Sequence, residues 1–206
     1  MKSLQNVLAP AKLNLFLHIT GRRTDGYHLL QSVFMLIDWY DTLHFEVRPN
    51  GQISREDLSV PLPTDDLITR AARLLQQSSG TSMGAHIGID KSIPAQAGMG
   101  GGSSDAATCL LALNKLWNLN YSVNQLAQLG LQLGADVPFF IRGHNAWVEG
   151  IGEIMTPVTL PPAQFAVVKP PEGLETSKIF GDQALKRDTK PATISVFAAD
   201  PYGFGH

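Results

Sequence analysis

In PAQAGMGGGSSDAATCLLALNKLW, residues 94–117, glycine fills four of the five positions from Gly98 to Gly102, and Ser103, Ser104 and Asp105 follow directly. Glycine reaches positive φ without strain and has no Cβ to hold a ligand away, so consecutive N–H groups can turn toward one point. Behind it, Ala106, Leu110, Leu113 and Trp117 fall at i, i+4, i+7 and i+11, which predicts an amphipathic helix beginning near Ser103–Asp105. The unpaired N–H groups and dipole of that helix add positive potential at the same place. A polyphosphate suits such a cradle. The two serines read equally well as helix N-caps or as hydroxyls for phosphate or a metal ion. A flexible linker would join complete segments and tolerate any order of glycine and serine, whereas here a strand pattern runs into the glycines and a helix pattern runs out. Gly98, Gly100 and Ser103 only approximate GxGxxG, and no lysine follows the last glycine, so the dinucleotide and Walker patterns fail.

Two further stretches carry chemistry. In AKLNLFLHI, residues 11–19, alternation is expected to send Leu13, Leu15, Leu17 and Ile19 to one face and Lys12, Asn14, Phe16 and His18 to the other. Lys12 and Asn14 then share a face about 6.6 Å apart along the strand. Asp136 stands between Gly-Ala and Val-Pro-Phe-Phe, where an unpaired carboxylate would be costly and a nearby lysine would offset the cost. Spacing alone leaves a helix N-cap open for it. None of the six histidines pairs at zinc-ligand spacing, which argues against a metal hydrolase.

The positioning elements read as a mixed chain. GRRTDGYHLL is a turn or loop, VFMLIDWYDTLHFEV one or two strands, and PNGQ a turn. TDDLITRAARLLQQSS predicts a helix capped by Thr64 or Asp65, with Leu67, Ala71, Leu74 and Leu75 along one face. AHIGIDKSI is a short strand leading into the glycines, VNQLAQLGLQL a helix ending near Gly134, and NAWVEG and AQFAVVKP further strands. Pro157, Pro161 and Pro162 mark the best boundary, and SVFAADPYGFGH shows no period.

At 206 residues, 44% hydrophobic and 17% charged, the chain suits a globular core and not disorder. A net charge of −2 gives no global pull toward nucleic acid or anionic membrane, so any positive potential for an anionic substrate must be local. Cys109 is the one cysteine, reads as a small buried hydrophobe, and suits a reducing cytoplasm. The N-terminal stretch is a poor signal peptide and no run approaches a membrane span.

Pro94–Ala107 resembles the central motif of the GHMP kinases, which wrap ATP phosphates in such a loop. PAKLNLFLHITGRRTDGYHLLQSVF and LGADVPFFIRG resemble the branch acting on a cytidine diphosphate-linked methylerythritol, and the likeness runs from about Ala9 to about Phe180. The resemblance implies an α+β fold: an N-terminal domain of ribosomal protein S5 domain 2-like type over residues 1–155, then an incomplete C-terminal α/β-plait domain over 156–206. It implies Asp136 and Lys12 as the catalytic pair. ATP and Mg²⁺ are implied too, with Lys91, Pro94, Gly98, Met99, Gly100, Gly101, Gly102, Ser103, Ser104 and Asp66 about the nucleotide and Ser103 toward the metal. Asp66 stands where the family usually has asparagine, so it can accept from an adenine amino group but not donate to a ring nitrogen. Asn14, Tyr27, His28, Asp136 and Phe180 are implied as substrate contacts, the two aromatics sandwiching the base. No nucleic acid, membrane or protein partner is implied. A third glycine-rich motif of the family lies beyond the end of this chain. Another kinase of the family, for homoserine, mevalonate or a sugar, and a nucleotide-binding fragment without activity are the competing readings.

Overall fold

The computed structural model describes residues 2–170, 176–182 and 184–201. Along them run β1 (Ser3–Arg22), β2 (His28–Arg48), β3 (Ile53–Asp57), α1 (Leu67–Ser79), β4 (Gly84–Asp90), α2 (Gly101–Leu116), α3 (Val123–Leu131) and α4 (Val137–Arg142). Then come β5 (Ala146–Glu149), β6 (Ile154–Pro157), α5 (Thr176–Gly181) and α6 (Ile194–Ala199). The chain divides into two compact units. One takes residues 2–11, 37–94 and 99–143; the other takes 12–36, 95–98 and the described residues from 144 onward. Paired strands β1 and β2 contribute to both.

In the first unit the later half of β2 pairs antiparallel with β4, from Thr42 opposite Asp90 to Arg48 opposite Gly84, and β3 lies parallel on the other edge of β4. Leu43, Phe45, Ile87 and Ile89 from these strands are buried, as are Leu75 of α1 and Leu110 and Leu113 of α2. Ala106, Leu110, Leu113 and Trp117 are all buried, as their spacing predicts. Cys109 is buried too.

Caps explain where the helices begin. The Asp66 carboxylate accepts from Ile68 N at 2.7 Å and Thr69 N at 3.1 Å, and α1 stops at Gly80, whose φ is 67°. The expected cap at Thr64 or Asp65 is therefore off by one or two positions, because only Asp66 stands two and three residues before those free N–H groups. Ser122 and Gln125 close a capping box on α3. Helix α2 starts at Gly101, earlier than expected, with Gly100 in the cap position at φ 73° and no side-chain cap. Ser103 and Ser104 therefore lie inside the helix and do not cap it.

In the second unit the early half of β2 pairs antiparallel with β5, Val33 opposite Trp147, and β5 pairs with β6. Phe16, Val33, Trp147 and Phe197 form its core, with the aromatic centroids 5.5–5.8 Å apart. Three expectations fail here. The faces of β1 do not divide cleanly into core and solvent: Phe16 and Lys12 are buried while Leu17 is 45% exposed, yet Leu15 packs against the same core and Ile19 is buried. Residues 163–170 form no strand: a strand exists only by pairing, and among the described residues nothing pairs with them. The run from Ser195 shows no period in the sequence, yet it enters α6, capped by Thr193 and held by Phe197.

Gly130 on α3 shows how tightly α4 is seated. A Cβ there would stand 2.7 Å from Val137 Cγ1 and 2.8 Å from Ile141 Cδ1. Helix propensity alone favours Gly130→Ala by about 1 kcal/mol, whereas overpacking against a β-branched neighbour costs about 1–3 kcal/mol. Urea unfolding of Gly130→Ala is expected to show net destabilisation, with a lowered midpoint; a raised midpoint would mean that α4 yields freely.

Candidate functional site

The chain leading into α2 alternates in hand. Gln96, Gly98 and Gly100 have φ of 55°, 70° and 73°, while Ala97 and Met99 between them are not left-handed. Such alternation turns successive main-chain N–H groups toward one side, the form that binds anions. Glycine accepts this conformation freely; at Gln96 it costs about 1–2 kcal/mol, a strain nothing in the sequence announces. Gly101 serves differently: a Cβ there would meet Ile93 Cγ2 at 3.2 Å and Asp41 Oδ2 at 3.4 Å, so its bareness admits close packing. Pro94 is half-buried and Met99 is buried, which leaves Met99 its main chain to offer.

Ser104 Oγ and Asp105 Oδ1 are buried without a hydrogen-bond partner among the described residues. Ser103 is half-buried, and its Oγ lies 3.8 Å from where a Cβ of Gly134 would stand. The start of α2 and the Gly134–Asp136 turn are thus neighbours within one unit. Asp136 occupies the cap position of α4 with φ −83° and ψ −17°, yet its side chain makes no cap bond. The N-cap explanation for its carboxylate is thereby removed.

A buried charge cluster joins β2, the end of β4 and the first turns of α2. Lys91 Nζ donates to Asp105 Oδ2 at 2.6 Å and also to Asp41 Oδ2. Asp41, fully buried, accepts through its other oxygen from Ser92 N at 2.6 Å and Ile93 N at 2.8 Å. Burial pushes Asp105 up to about 7, with Lys91 opposing and Asp41 adding to the rise. Burial also works against the Lys91 ammonium, but the two carboxylates together hold its pKa above the ordinary lysine value. The nucleotide contact implied for Lys91 thus falls on a side chain already engaged by two acids. Asp66 is engaged as well: beyond capping α1 it pairs with Arg55 and accepts from Thr69 Oγ1 at 2.7 Å.

In the second unit Lys12, 4% exposed, donates to Asn14 Oδ1 at 2.8 Å and lies 4.5 Å from the centroid of the Phe34 ring. The shared face read from alternation is real. Tyr27, His28 and Phe180 come together with Asp25, Gly26, Leu30 and Ile151 around a cavity of about 420 Å³. The His28 and Phe180 rings stand 5.2 Å apart, tilted by 31°, and Tyr27 is 60% exposed at the rim. Among the described residues no helix is long and apolar enough to cross a membrane.

Residues 66–144 match the family model described as the GHMP kinases N terminal domain. The 4-diphosphocytidyl-2-C-methyl-D-erythritol kinase of Albidiferax ferrireducens is 71% identical over 205 residues, covering all of this chain and 71% of that protein. This chain belongs to the GHMP kinase family. Within it, the Delftia acidovorans protein of the same name is 67% identical over all of this chain and 73% of its own length. A crystal structure of 4-(cytidine 5'-diphospho)-2C-methyl-D-erythritol kinase matches with a TM-score of 0.66 and 40% identity, over 78% of this chain and 56% of that one. The chain thus spans about seven-tenths of these curated relatives and just over half of the solved chain. The family relation carries with it the α+β fold and the use of ATP.

In this GHMP kinase, Asp41 and Asp105 escaped the sequence reading. No motif contains Asp41, and the glycine motif that contains Asp105 does not say what its carboxylate meets; only the fold brings both to Lys91. The raised Asp105 value gives a pH test. Folded protein holds this proton more tightly than unfolded chain, so the contribution to stability is complete below about pH 4 and is lost as pH rises toward 7. Asp105→Asn is expected to flatten that decline, read as melting temperature against pH; an unchanged slope between pH 4 and 7 would contradict the assignment.

Proposed function

We propose that this chain carries the phosphoryl-transfer machinery of a 4-diphosphocytidyl-2-C-methyl-D-erythritol kinase. It moves the γ-phosphoryl group of ATP to the C2 hydroxyl of its cytidine diphosphate-linked substrate, in the non-mevalonate route to isoprenoid precursors. High identity along the whole chain to curated relatives of that name supports the reading. The observation that carries it is Ser103, at the start of α2, standing beside the turn that ends in Asp136.

Phosphoryl transfer asks a protein for alignment, charge neutralisation and an acceptor for the alcohol proton. Asp136 takes that proton, and Lys12 supplies the cation that steadies the carboxylate. The hydroxyl oxygen bonds to phosphorus as the bridging bond breaks and ADP leaves with its electrons. Main-chain N–H groups of residues 98–103 receive the phosphates, since Ser104 N is bonded to Gly100 O, with Ser103 and Ser104 adding hydroxyls; Lys91, Pro94, Met99 and Asp66 border the nucleotide. Tyr27 and Phe180 take the base between them, with His28 and Asn14 as polar contacts. ATP-dependent phosphoryl transfer uses Mg²⁺, and the Ser103 hydroxyl at the start of α2 is the donor this chain would offer it. Bound there, Mg²⁺ would neutralise charge on the phosphate oxygens. Residues 1–155 act as the N-terminal kinase domain and 156–206 open the second, working in the cytoplasm on small molecules.

The test uses the 206-residue chain and measures ADP release with the cytidylated substrate, homoserine, mevalonate and galactose as acceptors. Turnover is expected with the first alone. Asp136→Asn is expected to lose about 10²–10⁴-fold in turnover while still binding ATP. Near-normal rates in that variant would remove Asp136 from the chemistry, and ATP binding without turnover on any acceptor would make the chain a nucleotide-binding fragment.

A further inference from the structure

Arg187 lies outside every motif of the sequence, yet it makes four hydrogen bonds around the aromatic cavity. Nε donates to His28 Nε2 at 3.0 Å, and Nη1 to the Leu185 carbonyl at 2.9 Å. Nη2 donates to the carbonyls of Phe180 at 3.0 Å and Asp182 at 2.6 Å. The segment is pinned on the far side of Arg187 as well. Thr189 N bonds to Ile19 O at 3.0 Å, and Ala192 and the Gln31 side chain exchange two bonds of 2.8 and 3.1 Å.

The bond to His28 has a chemical consequence. A guanidinium only donates, so His28 Nε2 must be the unprotonated, accepting nitrogen. Desolvation, then the Arg187 and Arg22 charges, hold His28 below the ordinary imidazole value, so the ring is neutral and its single proton sits on Nδ1. Nδ1–H is the one polar group the ring still has to offer. It is a donor and cannot accept.

We infer that Arg187 is a positioning residue for base selection: it fixes His28 as an Nδ1–H donor and ties the Phe180 main chain to the same cavity. This rests on the proposed reading of that cavity as the base site. Pyrimidines differ at N3, where cytosine presents a lone pair and uracil an N–H. A fixed donor pairs with the first and opposes the second, so recognition of cytosine is set by a residue that does not touch it.

The experiment compares wild type, Arg187→Met and Arg187→Lys, with Phe180→Ala as control. Turnover is measured on the cytidylated substrate and its uridine counterpart. For Arg187→Met, KM for the cytidylated substrate is expected to rise about tenfold, as expected when a half-buried hydrogen bond from a charged donor is lost, with kcat and KM for ATP little changed. Its preference over the uridine compound should shrink. Arg187→Lys, which keeps one donor, should recover part of the loss. On wild-type protein labelled with ¹⁵N-histidine, NMR should show the Nδ1–H tautomer of His28, a reading independent of activity and of variant folding. An Nε2–H tautomer, or an unchanged KM and base preference in Arg187→Met, would overturn the inference. If Phe180→Ala also leaves KM for the cytidylated substrate unchanged, the cavity is not the base site and the proposed function fails at that point. If Phe180→Ala raises KM and Arg187→Met does not, only the role of Arg187 falls.

Discussion

Lys91 carries one positive charge, and two buried carboxylates depend on it. Charges removed from water are tolerated only when paired and hydrogen-bonded, and this cluster meets that demand by an unequal division. Asp41 spends its second oxygen on two main-chain N–H groups of residues 92 and 93, while Asp105 relieves the excess negative charge by binding a proton near neutrality. The chain leaving β4 and the start of α2 are thereby fastened to one another. Gly101 can pack against Ile93 and Asp41 only because it has no side chain. The end of the glycine-rich stretch that enters α2 is therefore packed directly on this polar cluster.

The elements that the sequence made readable are those whose cause is local. Ala106 to Trp117 recur at helical spacing and are buried as that spacing demands. Lys12 and Asn14 share a face because strand geometry allows no alternative. What escaped depended on partners far along the chain. Alternation cannot say which side of β1 meets a core, and Phe16 goes inward because Trp147 and Phe197 are there to receive it. The apolar residues 163–170 have strand composition, but composition does not supply a neighbouring strand. Helix α6 is a single short turn-and-a-half whose stability comes from Phe197 and not from periodicity.

The same division holds for the site. The glycine motif is legible because its residues are consecutive; Asp136 is legible as an acid among apolar neighbours, while its role as a base is proposed from the family resemblance. Asp41 and Arg187 lie outside the motifs, and Asp105 lies within one that does not reveal its partner, so only coordinates show what the three touch. Gln96 is the sharpest case, since its left-handed backbone extends the alternation of the glycines yet its residue type gives no sign of it.

That alternation has a bearing on inhibitor resistance. A compound anchored on main-chain N–H groups of residues 98–103 addresses atoms that every amino acid except proline retains, and escape by missense change would have to distort the backbone itself. A compound seated in the aromatic cavity relies on Tyr27, His28 and Phe180, any of which one codon change can erase. Durability and selectivity would then favour different anchors for an inhibitor.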